Sequence, residues 1–334
     1  MTKKSIFVTG ADGFIGSHLI EQLVASGHSV RALCQYNSFG NRGWLDTLNP
    51  DVLASVDVCL GDIRDGDHVK RLMKNADIVI HLAALIAIPY SYHSPRSYIE
   101  TNVSGTLNLL QAALDNEVER FIHTSTSEVY GTAQFVPITE THPLVGQSPY
   151  SASKIAADQL AISFFTSFDL PVSIIRPFNT YGPRQSLRAI IPTVITQLSR
   201  GQNTINLGAT APTRDFSFIQ DTVFGFCAAI YAESIEGLTI NLGSGFEVSI
   251  QDVVNLIAEH FNTEIIIKTD NERLRPEKSE VNRLLSDNSL AMKLLDWEPK
   301  YAGPEGLKKG IAKTALWFTD TKNLSKYPDS GYVI

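Results

Sequence analysis

Three glycines spaced three residues apart, Gly10, Gly13 and Gly16, constrain this chain more than any other feature. They lie in Gly10-Ala11-Asp12-Gly13-Phe14-Ile15-Gly16, between the apolar run Ile6-Phe7-Val8 and a helix-period segment through Ile20. Glycine permits a tight turn and a close approach of backbone to ligand. The helix that follows offers unpaired N–H groups and the positive end of its dipole to an anion. A glycine turn placed directly after a first strand points to the pyrophosphate of a dinucleotide, with Phe14 and Ile15 beside it. The spacing is GxxGxxG rather than GxGxxG.

The pattern downstream fits such a turn. Ser29–Leu33, Val56–Leu60, Ile78–Ile80, Phe121–His123 and Val172–Ile175 are short apolar runs. Helix-period segments separate several of them, including a long one from about Ser97 to Asn116. Strands joined by helical crossovers make a parallel sheet covered on both faces, with ligands at the carboxyl ends of its strands. The expected architecture is α/β: a Rossmann-type doubly wound parallel sheet with a smaller mixed α/β lobe for substrate. Residues 1–175 form the dinucleotide domain, and 215–238 are expected to return to it. Residues 176–214 and 239–324, which include Thr239–Leu242, form the lobe, and 325–334 a surface tail.

Charge limits the partners. There are 28 Lys+Arg against 35 Asp+Glu, a net charge of −7, and no basic run, which argues against nucleic acid. No window approaches the roughly 20 apolar residues of a membrane span, and the N-terminus lacks the apolar stretch of a signal peptide. Cys34, Cys59 and Cys227 are widely spaced and read as buried free thiols. A cytoplasmic protein without a metal site is expected.

At the end of the second strand, an acid ordinarily meets the 2′-hydroxyl of NAD. Here the residues are Leu33-Cys34-Gln35-Tyr36-Asn37-Ser38. Asn37, Ser38 and Arg42 are candidates for a 2′-phosphate, and an unselective ribose pocket is the alternative; NAD and NADP both stay open.

Tyr150 and Lys154 stand at i and i+4, on one helix face. A cation beside a phenol favours the phenolate, so the pair can exchange a proton with a substrate hydroxyl. Ser125-Thr126-Ser127-Glu128 follows the strand Phe121–His123, which places Thr126 and Glu128 at the ligand-binding edge of the sheet. Thr126 can hydrogen-bond the reacting oxygen, and Glu128 can move a carbon-bound proton.

These segments occur in one order with Gly61-Asp62-Ile63, His81-Leu82-Ala83-Ala84, Asn102 and Arg176-Pro177-Phe178-Asn179-Thr180-Tyr181-Gly182-Pro183-Arg184. Together, over roughly residues 5–318, the chain resembles the extended short-chain dehydrogenase/reductases that act on nucleotide sugars as epimerases and dehydratases. The resemblance implies that Gly10, Gly13 and Gly16 cradle the pyrophosphate of a tightly held NAD(P), regenerated at each turnover. Asp62 and Ile63 would hold its adenine, Pro177 would abut its nicotinamide, and Ala83 and Asn102 would complete its site. Tyr150, assisted by Lys154 and Thr126, would be the acid/base at the sugar C4 hydroxyl. Ser127, Asn179, Arg184, Arg214 and Arg275 would hold a nucleotide-diphosphate sugar. The family also implies a homodimer paired through the helices near Ser97–Asn116 and Ser151–Phe168.

Simple 4-epimerases of the family lack a carboxylate at the Glu128 position, so the glutamate points to chemistry at C5. Many 4,6-dehydratases carry Thr-Asp-Glu where this chain has Thr126-Ser127-Glu128, and the acid for the C6 hydroxyl is therefore unassigned. The segments Gln35–Phe39 and Arg275–Val281 resemble the 4,6-dehydratases of bacterial nonulosonic (legionaminic) acid synthesis, implying a nucleotide-linked N-acetylglucosamine. The expected reaction is oxidation at C4, deprotonation at C5, loss of C6 water and hydride return. A UDP-glucuronate-type decarboxylase using Arg283, a 5,6-dehydratase, a 4-epimerase and a silent dinucleotide-binding scaffold are the alternatives.

Overall fold

A computed structural model describes residues 2–327. Its strands in chain order are β1 (Ser5–Thr9), β2 (Ser29–Gln35), β3 (Val56–Gly61), β4 (Ile78–His81), β5 (Arg120–Thr124) and β6 (Val172–Pro177). They continue with β7 (Asn179–Tyr181), β8 (Thr204–Leu207), β9 (Thr213–Phe218), β10 (Thr239–Leu242), β11 (Glu247–Ser249) and β12 (Ile266–Thr269). Seven of them form one sheet in the order β10-β6-β5-β4-β1-β2-β3. Every pairing in it is parallel.

Alternation along β1 explains the double winding. Ile6 and Val8 join one core with Leu19, Ile20 and Leu23 of the helix Phe14–Ala25. Phe7, facing the other way, joins a second core with Leu109, Leu110 and Ala113 of the helix Gly105–Asp115 and with Ala161 and Phe164 of the helix Pro149–Phe168. Successive side chains of a strand point to opposite faces, so an all-apolar strand needs helices on both. The chain leaves β1 toward β2 on one side and later lays down β4 on the other, which opens a crevice above β1.

The lobe is built from smaller pieces. A three-stranded sheet runs β11-β9-β7, and β8 pairs with β12 in a parallel ribbon. The buried Asp215 carboxylate accepts hydrogen bonds from Ser244 N (2.7 Å), Ser244 Oγ (2.6 Å), Gly245 N (3.0 Å) and Ser286 N (3.1 Å), tying three separate segments together. The helix Gly303–Thr319 packs on the helix Ile190–Ser199 and, through Gly310, on the ring of Tyr181.

Four expectations change. Thr239–Leu242 belongs to the large sheet, not the lobe: β10 pairs with β6 from Thr239↔Ile174 to Leu242↔Pro177. A four-residue apolar strand carries no mark of which sheet it completes, and the free edge of β6 takes it. Asp215–Phe218 does not return to the first domain, since β9 is the centre of the three-stranded sheet; the following helix, Ile219–Ala229, does return and packs on Phe14–Ala25. The expected helix Ser97–Asn116 is a helix Pro95–Tyr98, a π-helical turn Ile99–Ser104 and the helix Gly105–Asp115. Of the expected tail, Tyr327 is buried against Trp44 and Phe318, and residues 328–334 lie outside those described. No described helix is long and apolar enough to cross a membrane.

Candidate active site

A cleft of about 890 Å³ runs over the carboxyl ends of the large sheet, between it and the lobe. Gly10 has φ +67°, and a Cβ there would lie 2.7 Å from Ala83 N. A Cβ on Gly16 would lie 2.1 Å from Gly10 O, so the turn can close only as glycine. The helix Phe14–Ala25 starts at Gly13 with no side-chain cap, which leaves its first N–H groups directed at the cleft. An uncapped helix end behind a cradle that side chains would fill suits a pyrophosphate. Phe14, Ile15, Asp62, Ile63, Ala83 and Pro177 line the same cleft. Asp62 is paired with Arg64 (Oδ2–Nη2 2.5 Å), and that guanidinium holds its carboxyl below the ordinary range.

Behind the turn, buried Thr9 and His81 set the backbone of Ala83. Thr106 Oγ1 donates to Asn102 O (2.6 Å), so it accepts from His81 Nε2 (3.0 Å), and His81 Nδ1 accepts from Thr9 Oγ1 (2.8 Å). Thr9 Oγ1 in turn accepts from Ala83 N (3.2 Å). Burial lowers the His81 pKa well below the usual histidine value, and a neutral ring is what this chain of donors requires.

The catalytic candidates come together at one end of the cleft. Thr126 caps the short 3₁₀ turn Ser127–Tyr130, its Oγ1 accepting from Glu128 N at 3.3 Å. Thr126, Ser127, Glu128, Tyr150 and Lys154 all line the cleft. The helix carrying the last two begins with a reciprocal cap, Ser148 Oγ accepting from Ser151 N (3.1 Å) and Ser151 Oγ from Ser148 N (3.0 Å), with Pro149 as its first residue. This cap aims Tyr150 from the first helical turn.

The electrostatics correct one expectation. Burial pushes the Tyr150 phenol above its ordinary value; the neighbouring Thr126 hydroxyl opposes that rise, and the Glu128 carboxylate adds to it. Lys154 is not among the groups that lower it. Lys154 instead donates to Thr124 O (2.6 Å), and burial lowers its pKa to about 8 while Asp158 acts to raise it. The phenol of the protein alone is therefore protonated near neutral pH.

Asp158, one turn beyond Lys154, belongs to a buried network. Its Oδ2 accepts from Ser125 Oγ (2.6 Å) and Arg176 Nη2 (2.7 Å), and Oδ1 lies 3.2 Å from His123 Nε2. Arg176 also donates to Tyr130 Oη (2.7 Å), which donates to Asn241 Oδ1 (2.7 Å). His123 is pushed down to about 4 by burial and by Lys154, and Asp158 is held at about 2 by His123, Arg176 and Lys154 against its burial.

Toward the lobe, Arg275 Nη1 lies 3.5 Å from Glu128 Oε2 and 3.8 Å from Glu280 Oε1, and Arg214 Nη2 lies 3.3 Å from Glu280 Oε1. Asn179 lines the cleft, and its Oδ1 has no hydrogen-bond partner among the described residues. Two expected ligand residues are elsewhere. Arg184 is not part of the cleft lining: it pairs with Glu21 (2.8 and 3.0 Å) and lies over the Trp317 ring. Asn102 is buried beneath the cleft, where it bonds Leu85 N and O and Ser153 Oγ. Arg283, the candidate for a carboxylate partner, pairs with Glu247 on the far side of β9–β11. Arg42 pairs with Asp46 rather than facing the cleft. Of the cysteines, only Cys34 is fully buried. Glu280, Arg64, Arg188 and Arg273 line the cleft without having been expected there.

A dinucleotide cradle next to a Tyr/Lys pair and an arginine-rich lobe define an NAD(P)-dependent enzyme of the nucleotide-sugar dehydratase and epimerase class. A family model described as GDP-mannose 4,6 dehydratase matches residues 7–310, and the chain belongs to that family. It is 32% identical over 311 residues to the low-salt glycan biosynthesis protein Agl12 of Haloferax volcanii, covering 91% of this chain and 96% of that one. To a dTDP-glucose 4,6-dehydratase of Streptomyces antibioticus it is 31% identical over 322 residues, covering 95% and 93%. The crystal structure of DesIV, a dTDP-glucose 4,6-dehydratase from Streptomyces venezuelae with NAD bound, superposes with a TM-score of 0.84 at 29% identity, covering 96% and 98%. A UDP-N-acetylglucosamine 4-epimerase from Methanobrevibacter ruminantium superposes as well, with a TM-score of 0.84 at 27% identity over 95% and 99% of the chains.

Proposed function

We propose that the chain is a nucleotide-sugar 4,6-dehydratase acting on an N-acetylglucosamine-type hexose joined to a nucleoside diphosphate. One observation carries the reading: Glu128, a carboxylate, faces the cleft close enough to Tyr150 to perturb its phenol. A 4-epimerase moves hydrogen only at C4 and has no use for a second base. A 4,6-dehydratase needs one, because C5 becomes acidic once C4 is a ketone. The preference for an N-acetylated sugar rests on the likeness of Gln35–Phe39 and Arg275–Val281 noted above, and a homodimer through the helix Pro149–Phe168 is part of the same reading.

A bound NAD(P), held by Gly10, Gly13, Gly16, Asp62 and Ile63, supplies the hydride acceptor at C4 and the donor at C6. The chain's residues handle the protons. Tyr150 takes the C4 hydroxyl proton, with the neighbouring Thr126 hydroxyl favouring the phenolate and Lys154 one turn behind it. Glu128 removes the C5 proton. Ser127, in the place of an acid, carries a hydroxyl too weakly acidic to protonate a leaving group, so protonated Glu128 is the donor for the departing C6 hydroxyl. The C5 proton and that hydroxyl leave together as one water, and Tyr150 returns its proton to C5 as C6 is reduced, which leaves C4 a ketone. Arg214, Arg275 and Asn179 hold the diphosphate and sugar.

The test is a panel of UDP-, GDP-, CDP- and dTDP-linked hexoses, N-acetylhexosamines and uronates, read by mass. Loss of one water from an N-acetylglucosamine nucleotide is expected. Loss of CO2 from a uronate, or isomerisation without mass change, would replace the reading with a decarboxylase or an epimerase. Glu128→Gln is expected to slow dehydration about 10²–10⁴-fold while C4 oxidation, seen as the near-ultraviolet absorbance of reduced nicotinamide, persists. Dehydration at the wild-type rate in that variant removes Glu128 from the mechanism.

A further inference from the structure

We propose that Asp12 makes this chain selective for NAD over NADP, standing in from the glycine turn for the acid that β2 lacks. In a sheet of this topology, a carboxylate at the end of the second strand accepts the ribose 2′-hydroxyl of NAD. Here β2 ends at Gln35, opposite Gly61 at the end of β3. Asp12 reaches the same place from the neighbouring turn: its Oδ2 accepts from Gln35 N at 3.2 Å, and it lines the cleft together with Gln35 and Asp62.

The backbone that carries this carboxylate is fixed from two sides. Ala11 N donates to Leu33 O (3.3 Å), which ties the turn to β2. Trp44 N donates to Asp12 O (3.0 Å), and Gly43, at φ +55°, sits so close that a Cβ would lie 2.6 Å from that oxygen. The loop after β2 is thus folded onto Asp12. Burial raises its carboxyl above the usual range, and the backbone N–H groups of Gln35 and of Asp12 itself oppose that rise.

Charges around it exclude a 2′-phosphate. Arg42, the first cation after the end of β2, gives its Nε (2.7 Å) and its backbone N (2.8 Å) to Asp46 and does not line the cleft. The Asn37 amide donates to Gln35 O (3.3 Å) and Asn41 O (2.8 Å). Arg64 does line the cleft, but Asp62 holds it at 2.5 and 3.0 Å. The ribose end of the cleft therefore presents two carboxylates and one guanidinium, a net negative charge where a phosphate of nearly two negative charges would have to sit. A hydroxyl donor gains from the same carboxylate.

The proposal depends on the chain binding a nicotinamide dinucleotide and not on the reaction that follows, so it stands or falls apart from the dehydratase reading. Protein stripped of nucleotide is titrated calorimetrically with NAD+ and with NADP+. Wild type is expected to bind NAD+ about 100-fold tighter or more, the scale of a charge-assisted hydrogen bond plus a relieved repulsion. Asp12→Asn, isosteric and uncharged, is expected to shrink the ratio by roughly tenfold or more, and adding Gln35→Asp to it to restore the preference. Gln35→Lys, which leaves Asp12 in place but neutralises it, should shrink the ratio in the same way and keeps the test open if Asp12→Asn folds poorly. Equal affinities in wild type, or an unchanged ratio in both Asp12→Asn and Gln35→Lys, would overturn the proposal.

Discussion

Asp158→Asn is the most informative single substitution, because it changes charge at constant shape in the network under Lys154. The wild-type carboxylate is 1% exposed and is the counter-charge for Arg176, which is 3% exposed. An amide of the same size opens no cavity but leaves a buried guanidinium without its partner, and breaking such a pair costs about 3–5 kcal/mol. Each kcal/mol lowers the melting temperature of a protein this large by roughly 2–4 °C, so a fall of about 6–20 °C is expected at pH 7.

The pH dependence supplies a second reading of the same contact. Asp158 has its pKa depressed from 3.8 to about 2 in the fold, so its contribution is fully present above 3.8 and is lost as pH falls through about 2. That gap is worth about 2 kcal/mol, less than the mutational cost because a protonated carboxyl keeps two oxygens, whereas Asn sets an NH2 donor against one of the donors that surround Asp158. Melting temperatures of wild type and variant should therefore converge between pH 4 and 2. Asp158 also raises the Lys154 pKa, which stands at about 8, so its neutralisation should carry the alkaline limb of turnover to lower pH. A variant that melts within about 2 °C of wild type at pH 7, with its alkaline limb unmoved, would refute the assignment of Asp158 as counter-charge to both cations.

Two glycine substitutions should separate ligand binding from stability. Gly16→Ala drives a methyl to 2.1 Å from Gly10 O within the cradle; NAD+ affinity by calorimetry is expected to fall at least about 100-fold, as backbone must shift at the pyrophosphate. Gly310→Ala places a methyl 1.9 Å from Tyr181 Oη in the lobe, and it should cost about 1–3 kcal/mol in denaturant unfolding with NAD+ affinity unchanged.

What the sequence made legible, and what it did not, divides along the range of the interactions. The glycine turn, the Thr126–Glu128 turn and the Tyr150/Lys154 pair are each determined within a few residues by strand, cap and helical period, and all of them meet in one cleft. Arg184 was misread because its partner, Glu21, is 163 residues away and nothing local to the Tyr181–Arg184 segment announces an acid there. Asn102 was misread for a related reason: the π-helical turn that carries it directs the amide down to Leu85 and Ser153. The missing acid at the end of β2 looked like a gap because the strand was read alone, whereas parallel strands bring the β1 turn against that end.

Asp158 is different, since it did leave a local signal. It lies four residues after Lys154 and eight after Tyr150, on the same helical face that carries the proposed proton exchange with a substrate hydroxyl. Following that face one turn further puts a carboxylate behind the lysine, and an acid on a buried face requires a cation from elsewhere. The cation is Arg176, the last residue before the Pro177 that lines the cleft, so the strand end that reaches the cleft also supplies the charge that holds Asp158 at about 2. A charged residue at a/d-like spacing behind a catalytic pair is thus a sequence-level sign of a buried counter-charge. The same reasoning explains why Lys154 can remain charged near neutral pH within a fully buried site.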